Sequence, residues 1–513
     1  MSPEEAYAAG LEGDYRNISG ALENASEAEA CALRALLAAV SPNVPVPELP
    51  PGEADVWSER ALRLIALNAF LDENATLARA AEDASERTST TTATRAVVST
   101  VRHLISGEPV SYDSERVAEP EARIALSAFE AWAALKAGRA ADGLERARRV
   151  ARMARTEEMQ VWEYLAYITL AEARRQTDSP YRASRILDSL STVIPSRWDH
   201  RREWSGVFVG KTVSSTHPAF PLLGLFDALR AQGRREHGRE QGREHGRGHG
   251  REQVDTALLR LDEAAPPSPL YAEEVQAIIS SVRGALDGSS RGGVRIFDPI
   301  RPGLRALSRS LLDGPPVLIA AFPDRPPERY LRFVQALDPE APPFIFEDGT
   351  AGPRAREIAA RLVIAGQEGL SSATLFESVY GFAFEESRHG NVLRTAIYRT
   401  RAALGEHAEI ESLGGQWRVR VRSPFLWPQS EEPEDLEERI LRQLTTSPDG
   451  CTARDTAAAL GIPVRTVQAT LRRMVDDGSC SPEKLGRRVH YVIEDTTFQS
   501  PTLPRLVALG AGE

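Results

Sequence analysis

Arginine on one exposed face of a helix can fork to guanine O6 and N7 or to a phosphate, and two segments of this chain offer such a face. From residue 464 to 475, Val464, Val467, Leu471, Met474 and Val475 fall in one stripe at helical spacing. Arg465, Thr466, Ala469, Arg472 and Arg473 lie opposite, with Gln468 beside them. From residue 391 to 404, Leu393, Ile397, Thr400 and Leu404 share one face, and Asn391, Arg394, Thr395, Tyr398 and Arg401 share the other, flanked by Arg399. Gly486-Arg487-Arg488, ahead of the alternation Val489, Tyr491, Ile493, reads as a hairpin whose tip carries two guanidinium groups. The chemistry on offer is hydrogen bonding and ion pairing to a polyanion, with no covalent bond made or broken.

Covalent chemistry has no comparable support. In SGVFVGKTVSS, with Gly206, Gly210, Lys211 and Thr212, three residues separate the glycines where a phosphate-cradling loop has four. His103, His200, His217, His389, His407 and His490 form no HExxH or clustered pattern. Cys31, Cys451 and Cys480 are odd in number and lack CxxC spacing, so neither a metal site nor a disulfide framework is expected. His245 and His249 are four apart and could chelate a metal if helical, but the glycines around them oppose helix. The expectation is a chain that is not an enzyme and takes no cofactor or metal.

A net charge of −11 over 513 residues runs against a polyanionic partner until its distribution is considered. Residues 1 to 60 hold eleven acidic and three basic side chains, whereas residues 388 to 422 hold seven arginines against three glutamates. Only Lys136, Lys211 and Lys484 are lysine, so arginine richness is a habit of the whole chain and carries little weight at any one site. No run of about 18 apolar residues appears, and the N-terminus lacks a basic region followed by an apolar core. A cytoplasmic chain with no membrane partner is expected.

These faces need elements to hold them. Ala457, Gly461 and Val467 supply a small residue where two helices approach, a glycine for the tight turn and a buried β-branched anchor, the pattern of a helix-turn-helix. Leu436, Ile440, Leu441 and Leu444 supply a helix upstream, and Gly478 ends the second one. Residues 434–498 thus resemble the winged-helix modules of the MarR, IclR and GntR types. Residues 354–420 resemble the OmpR/PhoB-type effector domain over their whole length. The likeness runs through a first helix to Ala365, a second around Leu375 to Tyr380, a charged loop, a long helix from Asn391 to Leu404 closed by Gly405, and a wing of form IESLGGQWRV. This resemblance implies that the long helix enters the major groove, with Arg394, Tyr398, Arg399 and Arg401 as groove and phosphate contacts. Two departures stand out: Thr400 replaces the usual leucine, and Gly414-Gly415 replaces a common wing arginine. Winged helices also occur as packing or protein-binding modules, which is the alternative for both.

The fold class expected is mainly α, a tetratricopeptide-like helical-repeat array followed by two C-terminal winged-helix α/β modules. Within residues 1–230, the segments 125–154 and 161–190 align Leu135 with Leu170 and Ala147 with Ala183, a period of 35 to 36 residues. Trp162, Leu165 and Tyr167 resemble the first helix of such a repeat. Stacked hairpins would form a curved surface suited to a protein or peptide partner; a helical bundle without a groove is the alternative. Residues 231–253, with a glycine every fourth residue, read as a flexible His/Gly/Arg/Glu linker. Residues 254–290 read as helical, and 291–350 as a small mixed α/β section with strands at 316–322 and 343–348. The first winged helix follows at 351–422. A connector at 423–433 has Phe425, Leu426 and Trp427 packing between the modules, then come the second winged helix at 434–498 and a tail at 499–513. The function expected is a sequence-specific regulator of transcription that binds duplex DNA, with a helical input region and no particular oligomeric state implied. The alternative is a scaffold or adaptor whose winged helices contact protein.

Overall fold

Ser2 and Ser26 open helices by reciprocal capping with Glu5 and Glu29, and Asp55, Asn74 and Thr91 each accept a backbone N–H from the first turn of the helix they precede. The computed structural model describes residues 1–50, 55–88, 90–108, 114–177, 180–239, 247–263, 270–287, 293–295, 302–311, 316–335, 337, 342–343, 353–380, 383–429, 436–445, 450–476, 480–486 and 488–492. It is mainly helical with a few small sheets. Contacts divide it into two units, Met1–Phe220 with Ala265–Glu273 and Asp435–Glu513, and Pro221–Ala264 with Glu274–Glu434.

The first unit begins with α1 (Pro3–Leu11), α2 (Ile18–Leu22), α3 (Glu27–Val40), α4 (Val56–Asp72), α5 (Ala75–Arg87), α6 (Thr92–Ser106), α7 (Pro120–Lys136), α8 (Ala140–Thr156), α9 (Gln160–Gln176), α10 (Pro180–Ser191) and α11 (Asp199–Val207). From α3 to α10 each helix packs on the next, and α4 also meets α6 as α7 meets α9. Segment 125–154 falls on α7 and α8 and segment 161–190 on α9 and α10, with Leu135, Ala147 and Ala183 buried. Phe70, Phe129, Trp132 and Trp162 meet edge to face along this core. Arg63 is buried there, donating to Thr94 Oγ1 at 3.0 Å, Glu119 Oε1 at 2.6 Å and Glu121 Oε2 at 3.3 Å. A charge so far from water stays only because carboxylates surround it.

In the second unit, α12 (Phe220–Arg239), α13 (Arg247–Glu263) and α14 (Ala272–Asp287) precede β1 (Gly293–Arg295), α15 (Pro302–Leu311), β2 (Val317–Ala321), β3 (Glu328–Leu331) and α16 (Arg332–Gln335). The segment expected as a linker is therefore helical up to Arg239 and again from Arg247, with 240–246 outside the described residues. Leu222, Leu225, Phe226 and Leu229 are buried at helical spacing, and the helix they start runs on through Gly233 and Gly238 despite a cost of about 1 kcal/mol per glycine. Next come α17 (Pro353–Ala365), β4 (Leu370–Ser371), α18 (Ser372–Tyr380), α19 (Glu386–Leu404), β5 (Ala408–Leu413), β6 (Gln416–Val421) and β7 (Phe425–Pro428).

β7 corrects the expected connector. It pairs antiparallel with β2, Ile319 opposite Trp427, in a sheet of order β1-β3-β2-β7. Phe425 and Trp427 join the core formed with α17, α18 and α19, while Leu426 packs with Leu318, Ala320 and Tyr330 on the other face. A run apolar on both faces is a strand covered on both sides, which is why FLWP does not serve as a tether. The strand expected at 316–322 is β2; that at 343–348 lies outside the described residues beyond Pro343, whose carbonyl accepts the Leu426 N–H at 2.9 Å. The chain then returns to the first unit with α20 (Leu436–Thr445), α21 (Ala453–Leu460), α22 (Val464–Asp476) and the hairpin β8 (Ser481–Leu485) to β9 (Arg488–Val492). Residues 499–513 lie outside the described residues. No described helix is long and apolar enough to cross a membrane.

Candidate nucleic-acid interface

α19 begins five residues before its expected start, and its inward face, Leu393, Ala396, Ile397, Thr400 and Leu404, is buried against α17 and α18. Thr400 fits where leucine was anticipated because its hydroxyl donates to the Ala396 carbonyl at 2.9 Å, within reach of that of Ala355 at 3.3 Å. His389 stacks on Phe376 at 4.7 Å, fixing the start of the helix against α18. The outward face carries Asn391, Arg394, Thr395, Tyr398, Arg399 and Arg401, all exposed, with Tyr398 at 71%.

Exposure does not make them equivalent. Arg394 pairs with Glu386 Oε1 at 2.5 Å and donates to Asn391 Oδ1 at 3.2 Å, an exposed arrangement that a phosphate could displace. Glu386 reaches Arg394 across Gly390, where an added Cβ would lie 2.6 Å from Glu386 Oε1. Arg401, expected as a groove contact, instead turns back: Nε and Nη2 donate to the Ile410 carbonyl at 3.0 and 2.8 Å, and the guanidinium stands 5.9 Å from the Trp417 ring centre. It ties the hairpin to the helix, a role that wheel geometry could not distinguish from an outward one. Beside the exposed face of α19, Arg354, Tyr380, Asn391, Thr395 and Arg399 line an open cleft of about 450 Å³. Arg354 had no signal in the sequence, because its place depends on α17 meeting α19 across more than forty residues of chain.

Behind α19, β4, β6 and β5 form a three-stranded sheet in that order. Leu413 opposite Gln416 leaves Gly414-Gly415 as a two-residue turn with φ of +60° and +78°, the left-handed pair that a tight hairpin requires. Trp417 Nε1 donates to Ser372 Oγ at 3.0 Å and holds the sheet to α18. The tip carries no guanidinium; Arg420 and Arg422, both exposed, face Glu411 and Glu409 along the strands.

The second face is built more simply. Thr452 caps α21 by accepting the Asp455 N–H at 3.2 Å and donates to Asp455 Oδ2 at 2.6 Å, which holds that carboxyl below its ordinary value. Gly461 takes φ +65° and turns the chain into α22, where Val467, Leu471 and Met474 pack with Ala457, Ile440 and Leu444. Arg465, Thr466, Gln468, Ala469, Arg472 and Arg473 are all exposed. Val464, expected in the buried stripe, is 37% exposed, because it sits in the first turn beyond the edge of that small core. Arg473 lies 3.9 Å from Glu437. Arg488 is exposed at the start of β9, next to the hairpin turn at Gly486, and Arg487 lies outside the described residues.

The remaining candidates have other work. Lys211 pairs with Asp188, and its N–H closes on the Gly206 carbonyl at 3.0 Å, so the phosphate-loop lookalike folds on itself. His217 accepts the Ala219 N–H at Nδ1, 3.1 Å, and burial, then the neighbouring His200, lowers its pKa to about 4. Among the described residues no group of three or more His, Cys, Asp or Glu side chains is placed to hold a metal ion; the side chains of His245 and His249 lie outside them. No protein-family model, curated protein or solved structure matches the chain.

Proposed function

We propose that the chain is a sequence-specific regulator of transcription that binds duplex DNA through two winged-helix modules, residues 353–421 and 436–492, and receives its signal through tetratricopeptide-like stacked helices at the N-terminus. The observation that carries this reading is the division of α19 and α22. Each has an apolar face locked into a small core and an exposed face of arginine with Asn, Thr, Gln or Tyr, and each is followed by a hairpin. Side chains of that kind on a rigid helix donate to base edges and phosphates, and the helix is stiff enough to enter a major groove as a unit. The consecutive packing of α3 to α10, with α4 on α6 and α7 on α9, supports stacked hairpins as the input region. Cytoplasmic placement goes with this reading.

The test is a competitive gel shift with the whole chain at physiological salt. A specific binder retains some genomic fragments against excess mixed-sequence duplex, and Arg394→Ala with Arg399→Ala weakens that retention. A second reading, a scaffold whose winged helices contact protein, is favoured by exposed Val392, Tyr398 and Leu413 in the first module. Weak retention, equal for all sequences and unchanged by the arginine substitutions, selects it.

A further inference from the structure

Arg354 in the first turn of α17 and Arg399 on α19 come from two helices to line one cleft of about 450 Å³. Asn391, Val392 and Thr395 of α19 and Tyr380 at the end of α18 line it with them. Its volume falls within the range of small-molecule sites, about 300 to 1,000 Å³, and far exceeds one phosphoryl group. Among the described residues that line it, none is acidic, in a chain whose net charge is −11.

The two arginines are set differently. Arg354 is held: Nη1 donates to the Val379 carbonyl at 2.5 Å, and the guanidinium stands 4.9 Å from the centre of the Tyr380 ring, which itself stacks on Phe376 at 4.3 Å. Arg399 is exposed, and no described acidic side chain pairs with it. Its neighbours differ, since Arg388, Arg394, Arg420 and Arg422 face Glu385, Glu386, Glu411 and Glu409. A bound anion would supply the counter-charge that the fold withholds from Arg399, and little side-chain freedom would be lost at Arg354.

We propose that this cleft binds a small phosphate monoester. Arg354 and Arg399 take the phosphoryl oxygens, the Asn391 amide and the Thr395 hydroxyl add donors, and Ala355, Val392 and Ala396 cover an apolar body. A monoester suits two guanidinium groups better than a carboxylate does, because it carries nearly two charges at neutral pH and three acceptor oxygens. On the duplex-DNA reading above, on which this consequence rests, the site is also a control. Asn391, Thr395 and Arg399 belong to the exposed face of α19, so a bound ester occupies donors that DNA would use, and the two ligands compete.

The test titrates phenyl phosphate with the full chain at fixed ionic strength, following the broadening of its phosphorus resonance, and repeats the competitive gel shift with the ester present. Binding should saturate at about millimolar ester. Arg354→Ala should weaken it about tenfold or more. Arg399→Glu, at the wild-type melting temperature, should abolish it and decides the matter if Arg354→Ala disturbs the end of α18. In the gel shift, wild-type retention of duplex should fall as ester is added, and the Arg354→Ala chain should not respond over the same range. No saturable binding, or binding that neither substitution alters, overturns the site and leaves the DNA-binding reading standing. If no ester binds but both substitutions lower the salt slope of duplex binding by about one unit each, the cleft seats a backbone phosphate and the monoester proposal falls. If the ester binds through both arginines and the chain retains no duplex, the site stands and the DNA-binding reading falls.

Discussion

Replacing Arg401 with alanine separates a residue that would touch DNA from one that holds α19 to its hairpin. Its guanidinium donates twice to the Ile410 carbonyl, at 3.0 and 2.8 Å, and leans over Trp417. Hydrogen bonds from a charged donor contribute about 1.5 to 3 kcal/mol each; two that share one acceptor at an exposed residue should together contribute only about 1 to 2 kcal/mol. The loss would fall on β5 and β6, whose register runs from Ala408 opposite Val421 to Leu413 opposite Gln416. Because about 1.4 kcal/mol is tenfold in an equilibrium, amide exchange in that hairpin should quicken roughly 5- to 30-fold in Arg401→Ala, with the core of α19 little changed. DNA affinity should fall through a loosened hairpin while the salt slope stays as in the wild type. Unchanged hairpin exchange with a slope lower by about one unit would refute this and make Arg401 a phosphate contact.

Three further outcomes can be measured on the same chain. Arg63→Met leaves Glu121, 5% exposed as a side chain, without its main counter-charge, and should lower stability by about 3 to 5 kcal/mol in denaturant unfolding. Gly461→Val should cost about 1 to 2 kcal/mol, because a Cβ there meets nothing within 4 Å and the penalty is the left-handed backbone alone; Gly461→Asn should cost less, and equal melting temperatures would contradict the assignment. His217 is lowered from 6.5 to about 4 by burial and then by His200, so the unfolded chain takes up a proton that the folded chain refuses. Stability should therefore fall as pH drops from about 6.5 towards 4 and level off below, and His217→Gln should flatten that part of the profile measured by denaturant midpoint.

How much of this was legible in the sequence depends on whether a feature is local. The inward stripes of α19 and α22 follow from helical period alone, and Ala457, Gly461 and Val467 are where a tight turn and close helices need them. Val464 misled because periodicity assigns a face but not where the core ends. β7 was missed because its partner, β2, is a hundred residues away, and a short apolar run beside prolines looks the same as a tether or as a strand covered on both faces. The glycine-bearing end of α12, up to Arg239, shows local propensity overridden by an apolar stripe upstream. At the candidate interface the wheel separates inside from outside but not a free arginine from an engaged one, so Arg394 and Arg401 read alike until Glu386 and the Ile410 carbonyl are placed. The Arg148–Glu437 contact spans 289 residues and left no trace in spacing.

The most direct measurement is capture and sequencing of genomic duplex fragments bound by the whole chain at physiological salt. It is repeated with Arg394→Ala/Arg399→Ala on α19 and with Arg465→Ala/Arg472→Ala on α22. If these helices read DNA, the wild-type chain enriches a recurrent sequence. Each double substitution should then erase part of it, at a cost of about 1 to 3 kcal/mol for every arginine that contacts a base. Enrichment of no sequence, or of one that survives both pairs of substitutions unchanged, would contradict the account.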